Sequence, residues 1–140
     1  MQVGDVMTKQ VRTIQASETL AEAASVMQEE NIGSLPVCNG EQVIGMLTDR
    51  DIVVRAVACG LDPINTPVAA AMTPKVTRCF ADLTVWEANR VMEEVGVRRL
   101  VVTNRQNQMV GLLSYDDLAV LPQQELTPAT GAAAEPPRVI

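Results

Sequence analysis

Two short stretches of this sequence carry side chains able to hold a charged, hydroxylated ligand. Gly45-Met46-Leu47-Thr48-Asp49-Arg50-Asp51 and Gly111-Leu112-Leu113-Ser114-Tyr115-Asp116-Asp117 share one pattern: glycine, two apolar residues, a hydroxyl residue and, three positions on, an aspartate. The spacing predicts a strand ending at the hydroxyl residue and a helix starting there. Glycine in the strand would keep its backbone open to a flat ring or a sugar. Thr48 and Ser114, at the helix N-caps, would stand beside amides without helical partners, a setting that favours an anion such as phosphate. Asp51 and Asp117, in the first turn, could accept hydrogen bonds from both hydroxyls of a ribose. Ribose and phosphate against an apolar strand describe a nucleotide. The same residues also spell the capping box Ser/Thr-x-x-Asp, which does no more than fasten a helix. Both readings stand at this point.

The charges around the motifs differ. Arg50 lies inside the first, and Arg98-Arg99 precede the hairpin of the second. Guanidinium forks suit phosphate, and three of them converging on one cleft would form an anion site. The alternative is that all three are solvated surface charges, the ordinary fate of arginine. Tyr115-Asp116 stand where the first motif has Asp49-Arg50, so the second lacks that cation and gains an acid. Phosphate is better served near Arg50.

The elements that must position these residues occur twice. Met7-Thr8 answers Met72-Thr73, Ala21-Glu22-Ala23 answers Trp86-Glu87-Ala88, and Val26-Met27 answers Val91-Met92 at a constant offset of 65, lengthened by one residue before the second motif. Two copies are too few for a solenoid. Each is expected to expose an apolar face that the other covers, leaving a pseudo-two-fold cleft. The order within a copy reads strand, helix, strand, strand, helix. The strands are predicted around Val11–Ile14 and Val76–Cys79, with Ser17 and Asp82 as caps of the following helices. Leu20, Ala23, Ala24 and Met27, and in the copy Val85, Ala88, Val91, Met92 and Val95, recur at helical spacing. Asn31 and Gly96 are the expected stops. Hairpins follow at Leu35–Leu47, turning at Asn39-Gly40, and at Leu100–Leu113. The last helices run from Thr48 to about Ala58, with Gly60 as the end, and from Ser114 to Pro122. The predicted boundaries are 1–62 for the first repeat, 63–122 for the second and 123–140 for a disordered tail rich in Pro, Ala and Thr.

Composition narrows the function. The 140 residues are 47% hydrophobic and only 2% aromatic, so the core is aliphatic. No apolar run has membrane-spanning length, and the start has no secretory pattern. A net charge of −6 argues against general nucleic-acid binding. With no histidine and three scattered cysteines, Cys38, Cys59 and Cys79, neither a metal set nor a general acid-base group stands out. Free thiols fit a reducing cytoplasm, and catalysis is not expected.

The Met-Thr openings, Ile32-Gly33-Ser34-Leu35-Pro36-Val37, Gly-Met-Leu-Thr-Asp-Arg-Asp-Ile and Val97-Arg98-Arg99-Leu100 resemble the CBS domain, here in tandem as a Bateman module of the stand-alone prokaryotic type. The resemblance covers about Gln2 to Leu121. It implies an α/β (α+β) fold, each unit a small sheet flanked by two helices, and two units packed with pseudo-two-fold symmetry. It implies binding of an adenine nucleotide (AMP, ADP or ATP) or of NAD or S-adenosylmethionine as a regulatory ligand between the repeats, read out by a regulated protein as a change in their relative orientation. Asp51 and Asp117 would hold ribose, with Thr48 and Ser114 near the phosphates. Adenine contacts fall on Thr13, Ile14, Ile32, Ser34, Leu35 and Pro36 in repeat one. In repeat two they fall on Arg78, Val97, Arg99, Leu100 and Val101. Val101 replaces a frequent family proline, and Arg78-Cys79-Phe80 a more usual Thr-hydrophobic pair, which favours the first repeat's pocket. The family also pairs into flat disks, so a homodimer is expected. Ala21, Ala23, Ala24, Ala56 and Ala58, small residues on apolar helix faces, agree with it. The competing reading is a ligand-free dimeric scaffold whose aspartates only cap helices.

Overall fold

The computed structural model of the chain describes residues 1–128. They fall into two compact units: Arg12–Val76, and a second made of Met1–Val11 together with the chain from Thr77 onward. The opening segment of the sequence thus completes the unit that holds the second repeat, and residues 63–76 belong with the first.

In the unit Arg12–Val76, strand β1 (Ile14–Gln15) runs parallel to β2 (Ser34–Asn39), which pairs antiparallel with β3 (Gln42–Thr48). A parallel pair needs a crossover, and α2 (Leu20–Glu30) provides it. Leu20, Ala23 and Met27 are its buried residues, and they pack with Ile14, Leu35, Val37 and Leu47 of the sheet. Ala24, placed on the same stripe by its spacing, is exposed. Burying a leucine such as Leu20 or Leu35 contributes roughly 1.5–3 kcal/mol. Helix α2 stops at Asn31, whose left-handed backbone (φ 53°) turns its amide onto the carbonyls of Met27 and Gln28. The hairpin turns at Gly40 (φ 65°). After β3 the chain enters α3 (Asp49–Asp51), which continues as a π-helical stretch, Ile52–Val57.

The other unit repeats the plan. Strand β4 (Arg78–Phe80) is parallel to β5 (Arg99–Thr103), which is antiparallel to β6 (Met109–Ser114). Helix α4 (Val85–Val95) crosses between β4 and β5 and ends at Gly96 (φ 78°). Its stripe buries Val85, Ala88, Val91 and Met92, whereas Val95, at the stripe's edge, is 42% exposed. Both sheets carry a register shift at the matching place, Val37/Cys38 and Val102/Thr103. Helix α5 (Tyr115–Ala119) is shorter than its counterpart. Val3, from the opening turn α1 (Val3–Val6), is fully buried in this unit's core.

Three local expectations are corrected. The helix caps are Thr19 and Thr84, whose hydroxyls accept from the amides of Glu22 and Glu87, not Ser17 and Asp82. Ser17 lies in the turn leaving β1, and the carboxylate of Asp82 is taken by Arg105 in a two-point pair at 2.7 and 2.9 Å. The chain is also not disordered from residue 123: Gln123–Leu126 form a 3-10 turn, with Leu126 packed on the core. The rest of the expected tail, 129–140, lies outside the described residues. Finally, Ala23 and Ala56 are fully buried in the core of their own unit, so neither offers an outer surface.

Candidate functional site

Each motif forms a strand-to-helix junction. Thr48 keeps extended backbone (φ −112°, ψ 160°) and caps α3. Its hydroxyl accepts from the Asp51 amide at 3.1 Å, and its own amide donates to Asp51 Oδ2 at 2.9 Å. The capping box is therefore closed. Asp51 Oδ1 faces Arg55 Nε at 3.8 Å, and the side chain is only 15% exposed. The carboxylate is thus fixed in place by groups of its own helix, with one oxygen committed to the cap and the other turned to a cation. Arg55 sits four residues on, the spacing at which helical charges meet. That spacing was the available signal for a residue the motif reading omits.

Ser114 repeats the geometry: its hydroxyl accepts from the Asp117 amide at 3.3 Å, and its amide donates to Asp117 Oδ2 at 2.9 Å. What surrounds the second junction is different. Arg98 lies over the Tyr115 ring, 4.7 Å from its centre, and 3.6 Å from Asp116 Oδ1. The Tyr115 amide donates to the Arg98 carbonyl at 2.8 Å, as the Asp49 amide does to the Gly33 carbonyl at 3.0 Å. Tyr115 as a ring partner for Arg98 is a further residue sequence reasoning missed.

Register brings some of the sequence-nominated residues together. Ser34 is the cross-strand partner of Thr48, and Arg99 that of Ser114. Thr13 directly precedes β1, and its side chain hydrogen-bonds Cys38 of β2, four positions along the strand from Ser34. Arg50 and Arg99 are exposed, Ile32 is 37% exposed and Val97 is half-buried. Others are placed differently. Leu35 and Leu100 are fully buried and Ile14 nearly so, all three within the cores of their own units. Pro36 and Val101 are also buried. Arg78 pairs in register with Val101 on the strand farther from Ser114. Arg50 belongs to one unit, and Arg98 and Arg99 to the other.

The motif glycines have a different reason from the one their sequence suggests. A Cβ on Gly45 would stand 2.6 Å from the Thr73 carbonyl oxygen and 2.9 Å from Met72 Sδ. A Cβ on Gly111 would meet Met7 Sδ and stand 2.8 Å from the Thr8 carbonyl oxygen. The chain's own Met-Thr segments, not a ligand, occupy the close approach. Thr73 bridges Met46 and Thr8 bridges Leu112, adding one antiparallel rung beside each hairpin.

Burial raises the Cys38 thiol above its usual range, opposed by the Thr13 hydrogen bond, and pushes the Cys79 thiol up to about 12. Both are inert neutral thiols at physiological pH, and Cys59 is exposed. Among the described residues, no helix is long and apolar enough to cross a membrane.

The family model of the CBS domain matches residues 3–57 and 68–122. The CBS domain-containing protein YhcV of Bacillus subtilis is 39% identical over 118 residues, 84% of this chain and 83% of its own. Hypoxic response protein 1 of Mycobacterium tuberculosis is 35% identical over 134 residues, covering 94% and 93%. A crystal structure of Hypoxic Response Protein I with two coordinated zinc ions superposes with a TM-score of 0.75 at 36% identity, over 87% of this chain and 100% of that one. A CBS domain pair in complex with 5′-methylthioadenosine and S-adenosyl-L-methionine shares the fold, with a TM-score of 0.73 at 22% identity over 85% and 93%. The sequence has no histidine, and no three Cys, Asp or Glu side chains among the described residues are grouped to hold a metal. The chain belongs to the CBS domain family and carries the domain twice.

Proposed function

We propose that this protein is a non-catalytic regulatory module that binds an adenine nucleotide at the strand-to-helix junctions of its CBS repeats. The observation that carries the reading is the duplicated, half-buried aspartate. Asp51 and Asp117 are each held by a capping box with one oxygen outside it. Capping and ligand holding are therefore compatible, because the cap removes the rotamer freedom a ribose would otherwise have to quench. Exposed Arg50 and Arg99 lie next to the two junctions and suit phosphate. The relative that binds S-adenosylmethionine and methylthioadenosine supports an adenosyl ligand. AMP, ADP, ATP and NAD are the other members of the class. Occupation would bias the relative orientation of the repeats by no more than the ligand's differential affinity for the two arrangements. A regulated protein in the cytoplasm would read that bias. A homodimer is part of the proposal, supported by Val53 and Val57, 58% and 61% exposed on the helix after Thr48.

Thermal unfolding against AMP, ADP, ATP, NAD and S-adenosylmethionine, with GMP as control, tests the reading. A ligand at a hundred times its dissociation constant adds about 2.7 kcal/mol. A midpoint raised by an adenine ligand and not by GMP supports it. A flat panel, with no nucleotide absorbance released on denaturation, rejects it. The second reading, a ligand-free dimeric scaffold, is favoured by the closed capping boxes together with the exposed valines. It predicts the flat panel with a dimer in sedimentation.

A further inference from the structure

Arg55 holds two partners at once. Its Nε lies 3.8 Å from Asp51 Oδ1, and its Nη1 donates to the Met72 carbonyl at 3.1 Å. The first distance is that of an ion pair but is too long for a hydrogen bond, so the lone pairs of Oδ1 stay open to a ribose hydroxyl. The second contact fastens the guanidinium to the backbone beside Thr73, which exchanges two hydrogen bonds with Met46. Just beyond Thr73 the chain leaves this unit, at Val76. Arg55 also lies in the π-helical stretch Ile52–Val57, a rare conformation that recurs at functional sites. Among the described residues, neither feature recurs in the second repeat. Leu121 stands there in the place of Arg55, as far beyond Asp117 as Arg55 is beyond Asp51, and it packs against the core. A leucine has no donor to offer a carboxylate or a carbonyl. The helix after Ser114, Tyr115–Ala119, is α-helical throughout.

We infer that Arg55 is a positioning residue for the first junction: it aims Asp51 at the ribose and links that carboxylate to Met72–Thr73, so that filling this junction, unlike the second, is felt where the chain leaves the unit. The inference rests on the nucleotide reading above and adds the route of its signal. A ribose fixes Asp51, the fixed carboxylate holds the guanidinium, and the guanidinium steadies the Met72 carbonyl beside the rung. Folding depends little on Arg55, because its side chain is 49% exposed and exposed ion pairs add little to stability.

The test follows amide hydrogen exchange in the Asp117→Ala chain, which confines AMP to the first junction, with binding measured by calorimetry. Saturating AMP is expected to slow exchange of the Thr73 amide about fivefold, the low end of coupling between sites, and to leave the Thr8 amide of the matching rung unchanged. R55L, which copies the second repeat, should remove the Thr73 response at saturating AMP. It should also weaken AMP by up to about fivefold, the reach of an exposed charge pair, with the unfolding midpoint of the free protein unchanged. R55K, which returns the charge without the fork that reaches both partners, should recover affinity but not the response. If AMP binds and Thr73 does not respond, or responds equally in R55L or R55K, Arg55 is not the link and the nucleotide reading survives. If no adenosyl ligand binds the wild-type chain, both are wrong.

Discussion

Met46 and Thr73 exchange two backbone hydrogen bonds: the Met46 amide donates to the Thr73 carbonyl at 2.9 Å, and the Thr73 amide donates back at 2.8 Å. Thr8 and Leu112 do the same at 2.9 and 3.0 Å. These rungs press backbone against Gly45 and Gly111, and they give the recurring Met-Thr pairs a structural purpose. The glycine of each ligand-like motif is part of how a unit closes on itself.

Gly45→Ala is therefore expected to destabilise the protein by about 1–3 kcal/mol, the cost of forcing an extra methyl into packed structure. The atom it meets is a carbonyl oxygen at 2.6 Å that cannot rotate away. Gly40→Ala meets nothing within 4 Å and is strained only by its φ of 65°. Urea unfolding of the two variants should rank Gly45→Ala as the worse, and equal losses would contradict the packing account.

At Thr48 and Asp51 two roles share one box. Thr48→Ala removes the acceptor of the Asp51 amide and is expected to cost about 1 kcal/mol of stability, with or without nucleotide. Asp51→Ala should lose a comparable amount and also the stabilisation that nucleotide adds. Denaturation with and without AMP separates the two. Identical behaviour of both variants would reduce Asp51 to a cap.

Much of this architecture is legible in the sequence because helical and strand periods are local. Leu20, Ala23 and Met27 declare a buried stripe, and Asn31 and Gly96 stop their helices in left-handed conformations as their types suggest. Stripe edges fail, as at Ala24 and Val95, because spacing alone does not define how wide a face the neighbouring sheet covers. The caps slip by two residues, since Ser17 and Asp82 are good capping types consumed by the preceding turn and by Arg105. Long-range pairing is the least legible. Nothing local to Gly45 announces Thr73, so an open backbone and one closed by its own chain read alike.

Alkaline stability should report Cys79. Its folded thiol is held to about 12 by burial, against an ordinary value of 9.0. Between those values the unfolded chain releases a proton that the folded chain keeps. Stability is thus fully present below about pH 9 and falls as pH rises, by at most about 1.4 kcal/mol per unit for one proton. Cys79→Ala should be less stable at neutral pH but flatter above pH 9. Parallel curves for the variant and the parent would exclude the thiol as the source.

Zinc should leave this chain unmoved. Added zinc, or chelation of a purified sample, is expected to shift the unfolding midpoint by less than the scatter of replicate scans, because no histidine and no grouped acidic or thiol ligands are present among the described residues. A reproducible rise with a stoichiometric metal content would reveal a site formed elsewhere.

The split of the chain into Arg12–Val76 on one side and Met1–Val11 with the segment after Val76 on the other has a bearing on biosynthesis. As the polypeptide leaves the ribosome, the middle portion holds everything its own core requires. The first eleven residues, by contrast, must wait through the synthesis of that whole unit before the strands they pack against exist. Val3 spends that interval without its hydrophobic partners. A lesion at Val3 would accordingly be felt in the unit whose strands are made after the other is complete.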